Sequence, residues 1–133
     1  MQYLKYHFYI LILTLLISGI SIVGCGPNEV RLDAGDSGRR IELAKGRVLA
    51  VSLKGNPTTG YTWEVVGVDK HVLAQEGKAE FKPQSDLIGA PGVETFRFKA
   101  AGAGETFLKL VYRRPWEKDV EPVRTFSLRV IVR

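Results

Sequence analysis

Thr125–Val132 reads TFSLRVIV. Phe126, Leu128, Val130 and Val132 alternate there with Thr125, Ser127 and Arg129. Successive side chains of a strand point to opposite faces, so a period of two marks one buried face and one wet face. The same period recurs upstream. Val93–Ala100 (VETFRFKA) sets Phe96 and Phe98 against Thr95, Arg97 and Lys99. Arg47–Lys54 (RVLAVSLK) puts Leu49, Val51 and Leu53 on one face. Thr62–Val68 (TWEVVGV) is β-branched and aromatic, and Thr106–Tyr112 (TFLKLVY) is apolar on both faces in part. A weaker strand is expected near Ala79–Phe81. Turn residues separate these runs.

After Cys25 no segment carries a helical stripe. The best candidate, Asp69–Gln75, is too short to stand alone. About seven short strands in roughly 95 residues predict an all-β fold, an immunoglobulin-like two-sheet antiparallel sandwich. That architecture leaves function open.

The whole chain has 133 residues, enough for one domain and a tail. Phe8–Val23 is almost wholly apolar (FYILILTLLISGISIV), follows Lys5 and His7, and ends at Gly24-Cys25. No basic residues follow it directly, which argues for an export signal and against a stop-transfer anchor. Ile22-Val23-Gly24-Cys25 resembles a bacterial lipoprotein box, with Ile22 where Leu is usual. That resemblance implies cleavage before Cys25 and acylation of it, and several acyl chains anchor a protein stably where one does not. Gly26 in place of Asp resembles the outer-membrane sorting pattern of Gram-negative lipoproteins. The expected organisation is a lipoprotein signal peptide over 1–24, a lipidated tether over 25–40 and a folded domain over 41–133. The domain would lie in the periplasm or at the cell surface. The tether reading rests on the Gly, Pro, Asp and Ser content of Gly26–Arg39.

Cys25 is the only cysteine, so no internal disulfide forms. After it there is one histidine, His71, which reads as a solvated turn residue. A Cys/His metal site cannot be assembled from one chain with that inventory, and no metal or cofactor is expected. No serine sits in a nucleophile-elbow setting, and Asp86 and Glu94 suggest no acid/base pair. An enzyme is therefore not expected. The formal net charge is +5 with interleaved acids. Such a surface on an exported chain reads as solvated, not as a nucleic-acid footprint.

Three loops stand out. In Asn56-Pro57-Thr58-Thr59-Gly60-Tyr61, Pro57 stiffens the turn and Gly60 is free to take a positive φ. Gly89-Ala90-Pro91-Gly92 is a G-x-x-G turn that lets a partner approach the backbone closely. Arg114-Pro115-Trp116 joins a cation and a large aromatic, the residue types most enriched at binding hot spots. Taken singly, each has a plain alternative. The first could be an ordinary hairpin turn and the second a flexible strand connection. In the third, Trp116 could fold onto the sandwich edge under a stacked arginine.

In combination they are more specific. NPTTGYTWE, then G-x-x-G, then YRRPWE, in one small all-β domain, resembles the chagasin family of cysteine peptidase inhibitors. The resemblance runs from about Ile41 to Val132, with Pro91 a departure in the middle motif. It implies reversible inhibition of papain-like cysteine peptidases by three loops at one end of an immunoglobulin-like sandwich. Asn56–Gly60 would enter the cleft with Thr58 and Thr59 at its tip, flanked by Gly89–Gly92 and Arg114–Trp116. The expected partners are such a peptidase and, through Cys25, a membrane; the chain itself is expected to be monomeric. The rival reading is a lipoprotein adhesion or scaffold module using the same loops on another partner.

Overall fold

The computed structural model describes residues 28–133. Residues 1–24, expected to be a signal peptide, and Cys25 lie outside the described residues.

Nine strands build the described chain: β1 (Glu29–Asp33), β2 (Arg40–Leu43), β3 (Val48–Gly55), β4 (Thr62–Gly67), β5 (Leu73–Gln75), β6 (Glu80–Pro83), β7 (Gly92–Ala100), β8 (Gly104–Arg113) and β9 (Arg124–Val132). One sheet runs β1-β3-β7-β5, with β6 also on β7; the other runs β2-β9-β8-β4. Period-two burial appears as the sequence predicts. Phe96 and Phe98 of β7, and Phe126, Leu128, Val130 and Val132 of β9, point inward. With Leu49, Val51, Leu53, Leu108 and Leu110 they form one core between the sheets.

The sandwich departs from expectation in three respects. Two edge pairings, β1 with β3 and β2 with β9, are parallel, so the sheets are mixed and not purely antiparallel. The weak strand expected near Ala79–Phe81 is β6, and a further short strand, β5, precedes it, both laid on β7. Asp69–Gln75 holds no helix: the Val72 and Leu73 amides donate to the Asp69 carbonyl, and β5 follows. His71 is the exposed turn residue expected, its amide donating to Asp69 Oδ1 at 2.9 Å.

The third departure concerns the tether. From Glu29 onward the stretch read as linker is folded. β1 pairs along β3 with Leu32 buried on the core. Asp33 and Asp36 then cap a 3-10 turn (Ala34–Asp36) by exchanging backbone hydrogen bonds. Gly38 donates to the Ser127 carbonyl at 2.7 Å, and the Ser37 hydroxyl accepts from the Ser127 amide at 3.1 Å. Arg97 of β7 reaches Glu29 at 3.1 Å and Glu80 at 2.9 Å, tying both flanks of its sheet. Hydrogen bonds from Arg31 and Arg97 hold the Glu29 carboxyl below its usual range. Composition hid this strand because its inward face supplies only Val30 and Leu32. Among the described residues, the folded unit thus already includes Glu29–Asp33, ahead of Ile41.

Strand register decides where the loops lie. Gly55 pairs with Gly92, Thr62 with Arg113 and Tyr112 with Arg124. The connections β3–β4, β6–β7 and β8–β9 therefore leave the sandwich at one pole. The turns around Lys45, Lys70 and Gly102 lie at the other, with Asn28, whose carbonyl accepts from Val48 at 3.0 Å.

Candidate functional site

The three loops of the loop pole are braced from below and against one another. Asn56 caps a 3-10 turn over Pro57–Thr59, with Pro57 at its start, where a missing N–H costs nothing. The Asn56 side-chain oxygen accepts from the Thr58 amide at 3.2 Å and the Thr58 hydroxyl at 2.6 Å. The Asn56 carbonyl accepts from the Thr59 hydroxyl at 2.6 Å and the Thr59 amide at 3.2 Å. Gly60 closes the turn at φ +81°, its amide donating to the Pro57 carbonyl at 3.0 Å. The turn is a closed arch, with Thr58 and Thr59 exposed on top.

Cross-links then fix the arch to its neighbours. Asn56 Nδ2 donates to the Gly89 carbonyl of the second loop at 3.2 Å. Arg114 of the third loop donates from Nε to the Thr59 carbonyl at 3.4 Å, and its guanidinium lies 4.6 Å above the Tyr61 ring. The Trp116 ring lies flush against Gly60, where a Cβ would meet Trp116 Cη2 at 2.6 Å. Gly60 is thus required twice, for its backbone angle and for contact with the indole. Trp116 nonetheless stays 69% exposed. It does not fold under an arginine, because Arg114 stacks on Tyr61 instead.

An aromatic platform supports the arch. Tyr61 stacks on Tyr112 at 5.5 Å, and Trp63 lies against Tyr112 at 5.2 Å. Tyr112 Oη accepts from the Asn56 amide at 2.9 Å, and Trp63 Nε1 donates to the Lys54 carbonyl at 3.0 Å. Arg124 covers the platform from β9, 4.1 Å from the Tyr112 centroid. Arg113 of β8 pairs with Glu64 of β4 at 2.8 Å just below.

The second loop is held less tightly at its tip. Gly89 takes φ +80°, the Ala90 amide donates to the Leu87 carbonyl at 3.1 Å, and the Pro91 carbonyl accepts from Gln84 at 2.9 Å. Gly92 opens β7 and is sterically obligatory, since a Cβ there would lie 2.3 Å from the Lys82 carbonyl oxygen.

All thirteen loop positions named from the sequence gather at this pole. Sequence reading missed two neighbours, Leu87 and Ile88, which are 78% and 106% exposed. Their signal was an aliphatic pair inside a Ser/Asp/Gly/Pro stretch, outside any strand period. It also missed Tyr112 as the support of Asn56. Of the two carboxylates beside the middle loop, Asp86 is exposed and Glu94 is buried. Among the described residues no three His, Cys, Asp or Glu side chains gather to hold a metal.

Residues 42–130 match the family described as chagasin family peptidase inhibitor I42. Over 88 residues the chain is 38% identical to amoebiasin-2 of Entamoeba histolytica, spanning 65% of this chain and 71% of that one. It is 35% identical to chagasin of Trypanosoma cruzi over 85 residues, spanning 60% and 76% respectively. The fold superposes on the crystal structure of a cysteine protease inhibitor from Entamoeba histolytica with a TM-score of 0.69. That likeness has 25% identity and covers 79% of this chain and 95% of the other. With its motif-bearing loops at one pole of the sandwich, the chain belongs to the chagasin family of peptidase inhibitors, a family of cysteine protease inhibitors.

Proposed function

We propose that this chain is a tight, reversible inhibitor of papain-like cysteine peptidases, acting as a monomer and not as an enzyme. The observation that carries the reading is the closed Asn56–Gly60 arch. A peptidase cleaves a carbonyl that it can hold at attack geometry. Here the Asn56, Pro57 and Thr59 carbonyls are already engaged by Thr59, Gly60 and Arg114. The arch is turned where a substrate is extended, so it fills a cleft without offering a scissile bond. Its stiffness limits the entropy lost on docking. Trp116 and the Leu87–Ile88 pair flank it as exposed apolar surface, the kind that carries binding energy once desolvated.

The test is a titration of papain with the full chain purified in detergent. Stoichiometric, reversible inhibition with an intact inhibitor chain supports the reading. No inhibition at about micromolar concentration, where even ~8 kcal/mol of binding would register, favours an adhesion or scaffold module.

Export and acylation at Cys25 belong to the same proposal, with residues 1–24 as the signal. Three residues, Gly26–Asn28, separate Cys25 from β1. At roughly 3.5 Å per residue they reach little more than 10 Å. Asn28 lies at the pole opposite the loops, so an anchored domain would hold its arch away from the bilayer. Palmitate labelling of the chain, abolished in Cys25→Ser, is the expected result; labelling that survives the substitution would remove Cys25 from the anchor.

A further inference from the structure

Glu94 is the one buried carboxylate among the described residues, 6% exposed. It stands on the inward face of β7 between Gly92 and Phe96. Register sets it opposite Leu53 of β3 and Phe81 of β6. A Cβ built on Gly55 would meet Glu94 Oε1 at 3.0 Å, the Tyr112 ring at 3.4 Å and the Trp63 ring at 3.6 Å. Carboxyl, phenol ring and indole therefore converge beneath the residue that precedes Asn56. Oε1 has no hydrogen-bond partner. A buried carboxylate without full hydrogen bonding is costly as an ion and far less so as an acid.

We propose that Glu94 is a positioning residue, holding the root of the Asn56–Tyr61 arch as a neutral acid, so that inhibition is strongest at acidic pH and weakens as the carboxyl ionises. The surroundings agree. Burial pushes its pKa up, opposed by the Trp63 backbone amide, the Thr62 hydroxyl and the charge of Arg124. Arg124, from β9, is the charged group acting on it, and that guanidinium is engaged over the Tyr112 and Trp63 rings. β8 presents Tyr112, β4 presents Thr62 and Trp63, β3 presents Leu53 and Gly55, and β6 presents Phe81, none of them charged. With its folded pKa raised, Glu94 keeps a proton that the unfolded chain has released. Its contribution is intact below the unfolded carboxyl pKa and is lost as pH climbs through the folded one. The first thing disturbed is the platform of Trp63 and Tyr112, and with it the Tyr112 Oη that fixes Asn56.

The inference rests on the inhibitory reading of the arch for its functional readout. Papain inhibition by the full chain and by Glu94→Gln is compared from about pH 4.5 to about pH 8, spanning the range above an ordinary carboxyl pKa. Papain's own pH response cancels in the ratio of the two inhibition constants. That ratio is expected near one at the acid end, with the parent becoming about three- to tenfold the weaker inhibitor toward neutrality. A ratio that stays flat overturns the proposal. Absence of inhibition by both proteins at every pH removes the inhibitory reading instead. The role of Glu94 is then decided, as it is if Glu94→Gln does not fold, by nuclear magnetic resonance of the parent. The Glu94 carboxyl and Asn56 amide signals should move with one shared midpoint above the ordinary carboxyl value. An Asn56 amide that ignores the Glu94 titration overturns the proposal.

Discussion

Gly46 and Gly60 have nearly the same backbone, at φ +90° and +81°, at opposite ends of the sandwich. A Cβ on Gly46 would meet nothing within 4 Å, whereas one on Gly60 would strike the Trp116 ring. Gly46 closes a turn held by backbone bonds, its amide donating to the Ala100 carbonyl at 2.8 Å. Gly60 closes a turn whose neighbours are side chains of two other connections. One pole only joins strands. The other uses the same turn chemistry to seat an indole and cross-brace three loops. A left-handed glycine is therefore no sign of function by itself; what leans on it is.

The largest effect is expected from Gly60→Ala. The left-handed backbone costs a side chain about 1–2 kcal/mol, and the new methyl group displaces Trp116. Papain inhibition should weaken by about a hundredfold, or ~3 kcal/mol with the lost indole seat. Equal inhibition by variant and parent would show that the two poles differ in appearance only. Trp116→Ala comes next, at about 2 kcal/mol or more, near thirtyfold in the inhibition constant. Trp116 is largely exposed, so the melting temperature should hardly move; a large drop would make the indole a structural strut. Asn56→Ala removes the acceptor for Thr58 and the donor to Gly89. A lost cap of this kind costs about 1 kcal/mol. Slower inhibitor association with a modest rise in the inhibition constant is expected, because the arch must then be ordered on docking. Detectable cleavage of the variant between Thr58 and Gly60 would link the cap directly to resistance.

The sandwich was legible wherever one face is buried and the other wet. TFSLRVIV and VETFRFKA carry β9 and β7, because Phe126, Leu128 and Val130 alternate with Thr125, Ser127 and Arg129, and Phe96 and Phe98 with Thr95, Arg97 and Lys99. β1 escaped since an edge strand of five residues gives its inward face little to show, and parallel pairing with β3 leaves no hairpin signal. The loop positions were legible as motifs, but not what braces them. Nothing in YRRPWE says that Arg114 stacks on Tyr61 while Trp116 sits on Gly60. The period of Phe96 and Phe98 carries back to Glu94, but nothing in Val93-Glu94-Thr95 says what a glutamate meets on a face that an alternating strand normally reserves for apolar groups. Both facts are set by which strands end at the same pole, and that is a property of topology, not of local pattern.

Gly46→Ala carries the smallest expected effect on inhibition and completes the comparison. The substitution imposes the same left-handed penalty, about 1–2 kcal/mol, at a position where the new Cβ meets nothing within 4 Å. For a domain of this size that is a fall in melting temperature of roughly 5 °C or more. The inhibition constant should stay within about twofold of the parent, a difference of ~0.4 kcal/mol, because the strain is confined to the far pole. If Gly46→Ala weakened inhibition as Gly60→Ala does, loss of binding would track stability alone, and the Trp116 contact would lose its special standing. If Gly46→Ala lowers only the melting temperature while Gly60→Ala lowers affinity as well, the difference between the two measures what the arch and its seated indole together contribute. Backbone angle is matched in the pair, so the variables left are that contact and the place of the arch in the cleft.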